Sequence, residues 1–276
     1  MRINKFLALC GVASRRKVEE YIIGGRVKVN GKVCDNLATD INIKKDNVEV
    51  DGKKIVPPSN YVYYKMHKPK GYICSNSDEK GRKTIFDLIN LDKRLFSVGR
   101  LDYNSEGLII ITNDGDFANK IIHPSNHIEK EYIVTIEGEI KESELAVLRA
   151  GVVENGTRLP SAKVKLISLE NNISRLSVKI DEGQNRQIRR MFEAIGKTIV
   201  LLKRVAIGGL KLGGLERGKY KQLTESELQS VFEVKQWKLR LSVVAQVVWC
   251  VLEDLQNLGT VWICLKQMKN WAKNYT

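Results

Sequence analysis

The dipeptide Pro57-Pro58 is the feature that most restricts how this chain can fold. Each proline fixes its own φ angle and keeps the preceding residue out of the helical region, so Pro57-Pro58-Ser59-Asn60 is typical of a stiff, extended linker. The linker predicts a small domain over residues 1–57 and a larger domain over residues 58–234. A third stretch, 235–276, differs in composition, because it holds all four tryptophans and only two acidic residues.

The charge of the chain predicts a polyanionic partner. Lys and Arg number 46 against 32 Asp and Glu, which gives a net charge of +14, and both nucleic acid and an anionic membrane attract such a protein. The membrane is the weaker alternative, because the longest apolar run, from Leu241 to Leu252, is far shorter than the ~20 residues of a spanning helix. The N-terminus has no apolar signal core, so we expect a cytoplasmic protein.

Cysteine and histidine usage points away from disulfides and metals. The five cysteines are odd in number and widely spaced, which favours free thiols in a reducing compartment. The three histidines do not pair with cysteines at zinc-binding spacing. We therefore expect no structural metal.

The first 57 residues predict two helices followed by short strands. Ile3, Phe6, Leu7 and Cys10 share one face of a first helix. A second helix is predicted from Arg15 to Ile23, with Ser14 as its N-cap and glycines at its end. Two hairpin turns, Asn30-Gly31 and Asp51-Gly52, then connect alternating strand-like segments.

A cluster of cations surrounds the start of the second predicted helix. Positive charge at a helix N-terminus opposes the helix dipole and costs a few tenths of a kcal/mol per residue. Any one of these side chains is accounted for by a solvated surface, whereas the group as a whole favours contact with phosphates. The cluster consists of Arg15, Arg16, Lys17, Arg26 and Lys28.

The middle of the chain mixes strands and helices without regular βαβ spacing. Strands are predicted over 61–66, 96–98, 108–112 and 130–137, and helices over 116–122 and 141–150. This order favours an α+β fold with a largely antiparallel mixed sheet. Asp102 lies in the loop between two of these strands, two residues after Arg100. A lone loop aspartate is usually a turn former, but a carboxylate fixed between strands beside cations suits a nucleophile or a base.

A last helix is predicted from the segment that starts at Asn185, its expected N-cap, and ends at Gly196. Its apolar residues share one buried face. Three arginines fall together on another side, where guanidinium groups either remain solvated or bind phosphates and carboxylates. These arginines are Arg186, Arg189 and Arg190.

Two ordered sets of motifs resemble known families. Residues 1–55, with I-N-K-F-L-A, A-S-R-R-K and G-R-V-K-V-N-G in that order, resemble the S4-like RNA-binding domain. Residues 61–228 resemble the RsuA/RluB type of ribosomal RNA pseudouridine synthase, and the N-R-Q-I-R-R-M-F string is more similar to the large-subunit enzymes, type B above all. The matching segments are 68–71, 99–102 with 105–108, 112–115, 123–124, 130–132, 182–183 and 185–192.

The resemblance implies a function and roles for individual residues. Such enzymes isomerise uridine to pseudouridine in RNA without a cofactor. Asp102 matches the catalytic aspartate, acting as nucleophile or base. Arg189 matches the basic residue that pairs with it, and a buried pair of this kind would keep Asp102 anionic. Tyr132 matches the tyrosine that stacks on the target base. Arg100 matches the arginine that fills the gap or holds phosphate once the uridine is extruded.

The same reading predicts a monomer that binds large-subunit ribosomal RNA, with the N-terminal cations, Arg186 and Arg190 as further RNA contacts. Two alternatives remain open. One is a non-catalytic RNA-binding or ribosome-assembly factor, and the other is an RNA glycosidase that cleaves the base without rejoining it. Glycoside hydrolysis usually needs two carboxylates, whereas the motifs supply one.

The 235–276 stretch is interpreted as an RNA-contacting extension, an accessory helix or a poorly ordered appendage.

Overall fold

A computed structural model describes residues 1–76, 78–91, 94–154 and 156–233 of the chain. The interpretations of the 235–276 stretch lie outside these residues. Met1–Val231 form one compact unit. Within the described ranges, no helix is both apolar and long enough to cross a bilayer.

The N-terminal part has the two predicted helices, α1 (Ile3–Leu9) and α2 (Arg15–Ile23). Ser14 caps α2 by accepting a hydrogen bond from the backbone N–H of Lys17 at 3.2 Å. A four-stranded antiparallel sheet follows in the order β2-β1-β3-β4, and its core is built from apolar residues of both helices and the strands. The strands are β1 (Val27–Val29), β2 (Lys32–Val33), β3 (Val48–Val50) and β4 (Lys53–Ile55).

The described residues from Tyr63 to Gln222 are built on a nine-stranded sheet with the main order β11-β12-β8-β13-β7-β5-β15, while β14 pairs with β13 and β6 with β7. The largely antiparallel α+β fold is thus confirmed. Its strands are β5 (Tyr63–Lys68), β6 (Phe96–Val98), β7 (Glu106–Thr112), β8 (Lys130–Glu137), β11 (Lys163–Glu170), β12 (Ile173–Ile180), β13 (Ile199–Ile207), β14 (Leu210–Lys211) and β15 (Tyr220–Gln222). A separate hairpin joins β9 (Val153–Glu154) to β10 (Thr157–Arg158).

Three α-helices accompany the sheet: α3 (Gly115–Ile122), α4 (Glu142–Ala150) and α5 (Gln187–Glu193). A further α-helical segment covers residues 225–233, and short 3₁₀ helices span Ile85–Leu88 and Pro124–Asn126. The buried faces of α4 and α5 join one core cluster with residues of β8, β11 and β12. The apolar face predicted for the last helix is confirmed, since its apolar residues are buried.

One strand pair determines where the site forms. Among the described strands, β7 and β13 are the only parallel neighbours, with Gly107 opposite Arg204. Gly107 has φ +116°, and a Cβ atom there would lie 2.2 Å from the carbonyl oxygen of Arg204. Glycine therefore lets the start of β7, which follows the Asp102 loop, approach β13 closely.

Candidate active site

A buried lysine holds the backbone of the loop that carries Asp102. Lys68, at the end of β5, donates hydrogen bonds from Nζ to the carbonyl oxygens of Asp102 at 3.0 Å, Ser105 at 2.8 Å and Pro69 at 3.0 Å. Burial lowers the pKa of Lys68 from the ordinary 10.5 to about 8. Its three acceptors are all backbone oxygens, so the lysine holds the loop in shape and leaves the Asp102 carboxylate free.

Asp102 and Arg189 form an ion pair that is open on one side. Nε of Arg189 lies 3.8 Å from Oδ2 of Asp102, while Nη2 donates to the Asn104 carbonyl at 3.0 Å and to Oγ of Ser105 at 3.2 Å. The pair is not fully buried, because the Asp102 side chain is 39% exposed and that of Arg189 is 11% exposed. Burial lowers the pKa of Arg189 and the nearby Asp102 charge raises it, yet a guanidinium remains cationic. The carboxylate is thus held by a cation and still accessible to a substrate.

The same loop borders a pocket of about 150 Å³. Tyr132, on β8, lies in its wall and is 8% exposed. Asp102, Arg100 and Tyr132 therefore face one cavity, as the sequence predicted. Its main lining residues are Gly99, Arg100, Leu101, Asp102, Ser105, Lys130, Tyr132, Gln184, Arg186, Ile188 and Arg204.

The predicted arginine face on the last helix does not form. Asn185 is not the N-cap, because Arg186 holds that position in a left-handed conformation with φ +49°. Arg186 lines the pocket and pairs with Glu193 at 3.3 Å. Arg190 instead pairs with Glu154 of β9 and does not belong to the pocket wall. The three guanidinium groups thus have three different partners, namely Glu193, Asp102 and Glu154.

The N-terminal cations are all exposed. Arg15 and Arg16 begin α2, and Lys28 lies on β1. Two of the five are neutralised within the domain. Lys17 pairs with Glu20 at 2.5 Å, and Arg26 donates to Asp51 through Nε at 2.9 Å while its guanidinium lies 4.0 Å above the Tyr21 ring. Exposed ion pairs of this kind are weak, so phosphate groups can compete for both cations.

Two buried cations were not assigned a role by sequence reasoning. Lys68 lies in the matching segment 68–71, but a lysine before a proline at the end of a strand gives no indication that it is buried. Arg204, on β13, is 5% exposed and lines the pocket beside Tyr132. Its alternating strand context looks like that of any amphipathic strand. Within the described ranges, no group of three His, Cys, Asp or Glu residues is placed to hold a metal ion.

An RNA-binding module and an enzyme domain are both recognised by comparison with known families. The S4 domain profile matches residues 1–48. The RNA pseudouridylate synthase profile matches residues 62–194, which contain Asp102, Tyr132 and Arg189. These two matches define an isomerase that acts on RNA. Because relatives that are more than 30% identical also align with most of the sequence, the chain belongs to the RNA pseudouridine synthase family.

Relatives of this chain share both parts. It is 44% identical over 232 residues to ribosomal large subunit pseudouridine synthase B of Bacillus subtilis, covering 83% of this chain and 94% of the relative. It is 42% identical over 236 residues to an uncharacterized RNA pseudouridine synthase of Aquifex aeolicus, covering 84% and 94%. A crystal structure of a pseudouridylate synthase matches with a TM-score of 0.61 and 30% identity, covering 84% of this chain and 99% of the other. The resemblance and the fold expected from it are confirmed.

Proposed function

We propose that this isomerase makes pseudouridine at a specific uridine of large-subunit ribosomal RNA. The observation that carries the proposal is the half-exposed Asp102 carboxylate, which faces the same pocket as Tyr132 and lies 3.8 Å from Arg189. The ribosomal target is supported by the relative in Bacillus subtilis, which is named for the large subunit. The cytoplasm and ribosome biogenesis are the setting that this substrate implies.

Asp102 acts as the nucleophile or base of the reaction. The backbone around this carboxylate is fixed by Lys68, and Arg189 places a positive charge 3.8 Å from Oδ2. Its open side faces the pocket, where a uridine must enter. Arg189 holds the carboxylate in place through its own bonds to Asn104 and Ser105. The resemblance implies the same two roles.

Tyr132 stacks on the uracil base after the nucleotide leaves the RNA helix or loop. Flipping a base out costs a few kcal/mol, and looped RNA, whose bases are already partly unstacked, lowers that cost. Arg100 and Arg186 are exposed on the pocket wall, where they bind phosphates flanking the target and offset the remaining cost. Arg190 is left out of this contact set, since Glu154 neutralises it away from the pocket.

The N-terminal domain positions the enzyme on its RNA. We assign residues 1–57 to this domain and 58–234 to the catalytic domain, with Pro57-Pro58 at the junction. Arg15, Arg16 and Lys28 contact phosphates directly, and Lys17 and Arg26 do so by exchanging their internal carboxylate partners for RNA. A monomer with no cofactor suffices, because isomerisation transfers no electrons to an acceptor and releases no group.

The test is tritium release from ribosomal RNA that carries [5-³H]uridine. Pseudouridine formation joins C5 of the base to the ribose, so the C5 hydrogen is lost to water. Replacing Asp102 by Asn keeps the shape of the side chain and removes its charge. We expect release to fall by at least about 10⁴-fold, while RNA binding is retained. Equal release by both proteins contradicts the role of Asp102.

The target is tested separately by primer extension after carbodiimide treatment of ribosomal RNA from cells with and without the protein. A stop present only with the protein, in large-subunit RNA, is the expected result. A stop in small-subunit RNA instead contradicts the large-subunit assignment and leaves the chemistry intact. Abasic product from the target RNA would favour a glycosidase, because isomerisation conserves mass.

A further inference from the structure

Arg204 is a buried cation whose hydrogen bonds are only partly made. Its side chain leaves β13 beside the pocket and donates from Nε to the carbonyl oxygen of Leu108 at 2.7 Å. Nη1 lies 3.4 Å from the hydroxyl of Tyr132. Nη2 is buried and has no hydrogen-bond partner among the described residues. A guanidinium group at 5% exposure with a free donor is therefore part of the pocket wall.

The charge of Arg204 also lacks a counterion in the part of the chain that the structure describes. The two carboxylates near the start of β7 have other partners: Asp102 pairs with Arg189, and Glu106 pairs with Arg217 at 3.1 Å. A buried charge without a counterion is expensive, and so is a buried donor without an acceptor. A ligand that brings an electron-rich oxygen to Nη2 removes both costs.

The position of Arg204 indicates which part of an RNA supplies that oxygen. The exposed cations of the pocket, Arg100 and Arg186, are accessible to the sugar-phosphate backbone. Arg204 is deeply buried and stands directly opposite Tyr132 in the pairing of β13 with β8. A base that stacks on Tyr132 brings its carbonyl oxygens to this depth, whereas the charged backbone stays outside.

The free charge of Arg204 acts on the rest of the pocket. Lys130, which lines the same wall, has a pKa lowered from 10.5 to about 8, first by burial and then by the positive charge of Arg204. Lys130 donates to the carbonyl oxygen of Asp181 at 2.9 Å. Two cations thus face this side of the cavity, and the field they create favours a base that gains negative charge.

We propose that Arg204 binds a carbonyl oxygen, O2 or O4, of the target uracil through Nη2 and stabilises the negative charge that the base acquires during isomerisation. When the bond between ribose C1′ and N1 breaks, its electron pair leaves with the base, and the charge spreads over N1, O2 and O4. C5 then supplies the electron pair of a new bond to C1′, the C5 proton is lost to water and N1 takes up a proton from water, so the product keeps the mass and charge of uridine. This role rests on the proposed reaction at Asp102 and adds the residue that interacts with the departing base.

The experiment measures single-turnover tritium release with saturating enzyme, RNA affinity and thermal unfolding for Arg204→Gln and Arg204→Lys. The control is Arg175→Gln, which removes the same charge from an exposed position on β12. We expect Arg204→Gln to slow release by about 10²–10³-fold with RNA affinity nearly unchanged, and Arg204→Lys to retain part of the rate. A folded Arg204→Gln protein that binds RNA and releases tritium at the rate of the control overturns the proposal.

A second arm does not depend on how Arg204→Gln folds. Wild-type protein and Arg204→Lys act on RNA whose target uridine carries sulfur in place of O2 or O4, and isomerisation is read as the corresponding thiopseudouridine after nuclease digestion. Sulfur accepts a hydrogen bond poorly, so we expect one of the two substitutions to slow the wild-type protein more than Arg204→Lys. Equal slowing of both proteins by both substitutions contradicts the contact.

The tritium assay is repeated on total cellular RNA labelled with [5-³H]uridine. If the wild-type protein releases tritium from this pool but not from ribosomal RNA, the ribosomal target is wrong, and Arg204 is then tested on the pool. If Asp102→Asn remains active in the pool, the proposed chemistry fails instead. A failure of the proposed function is thereby distinguished from a failure of the Arg204 contact.

Discussion

The N-terminal domain and the central pocket are both rich in cations, but they hold them in opposite ways. Around α2 the cations are exposed, and Lys17 and Arg26 pair with carboxylates across the surface. Around the pocket, Lys68 and Arg204 are nearly inaccessible to solvent and are held by backbone carbonyl oxygens. Exposed charge attracts RNA at a distance and is screened by salt, whereas buried charge acts at short range on bound groups.

Exposed and buried cations therefore contribute differently to binding and to stability. Losing an exposed cation costs one phosphate contact and leaves the fold intact. Losing a buried one alters the backbone that it holds or the field inside the pocket. The N-terminal domain should therefore control affinity, and the pocket should control rate and fold. The following changes test that separation.

The largest contrast is expected between two glycines with positive φ. Gly107→Ala places a Cβ atom 2.2 Å from the Arg204 carbonyl oxygen, and Gly52→Ala, at φ +77° in the N-terminal hairpin, meets no atom within 4 Å. We expect Gly107→Ala to lower the free energy of unfolding by about 4 kcal/mol or more and Gly52→Ala by about 1–2 kcal/mol. Chemical denaturation of both variants measures this. Similar losses in the free energy of unfolding would show that the contact between β7 and β13 accommodates a methyl group.

The next contrast lies within one helix. Arg189→Ala removes the cation beside Asp102, and we expect kcat to fall by about 10²–10³-fold. Arg190→Ala, one position on, removes only the pair with Glu154 and should change kcat by less than about threefold. Single-turnover tritium release and RNA affinity separate rate from binding. Equal losses in kcat would mean that α5 acts through its general stability.

These two contrasts also mark how far the sequence predicts the molecule. Both N-terminal helices, the Ser14 cap and strand β8 lie where periodicity and capping residues predict them, because those signals are local. The strand predicted over 61–66 instead spans Tyr63–Lys68, since pairing with β7 extends it. No strand is predicted after residue 150, although β12 alternates between buried and less buried positions, and the order of these strands comes from the sheet as a whole.

The site divides in the same way. Asp102, Tyr132 and Arg100 come together in one pocket as expected from the resemblance. The helix begins one position later than expected, because the left-handed Arg186 is its N-cap, and the three arginines pair with different carboxylates. The buried roles of Lys68 and Arg204 depend on which backbone oxygens lie nearby in the folded chain. No spacing within the sequence encodes those distances.

A smaller effect is expected from the exposed cations. Replacing both Arg15 and Arg16 by Ala should weaken RNA binding and reduce the slope of log affinity against log salt by about 1.4–1.8, at one phosphate per arginine. Lys17→Ala should change the slope less, because Glu20 already pairs with that lysine. Filter binding over a range of salt concentrations measures both, with kcat unchanged at saturating RNA. A large loss of kcat would place the N-terminal domain in the chemistry.

The smallest effect concerns Lys68 and the pocket-lining Lys130. Both have pKa values of about 8, so NMR of ¹³C-labelled lysine side chains should show both titrating well below the ordinary 10.5. Since each folded-state pKa lies below the ordinary 10.5, the cost of burying the charged lysine is fully present below pH 8 and declines as the pH rises toward 10.5. Arg204→Gln should raise the pKa of Lys130 by about 1 unit and that of Lys68 by less, whereas Arg175→Gln should move neither. An unchanged Lys130 pKa in folded Arg204→Gln would show that the electric field of Arg204 does not reach Lys130. The exposed cations of the N-terminal domain and the buried cations of the pocket would then differ only in their accessibility to solvent.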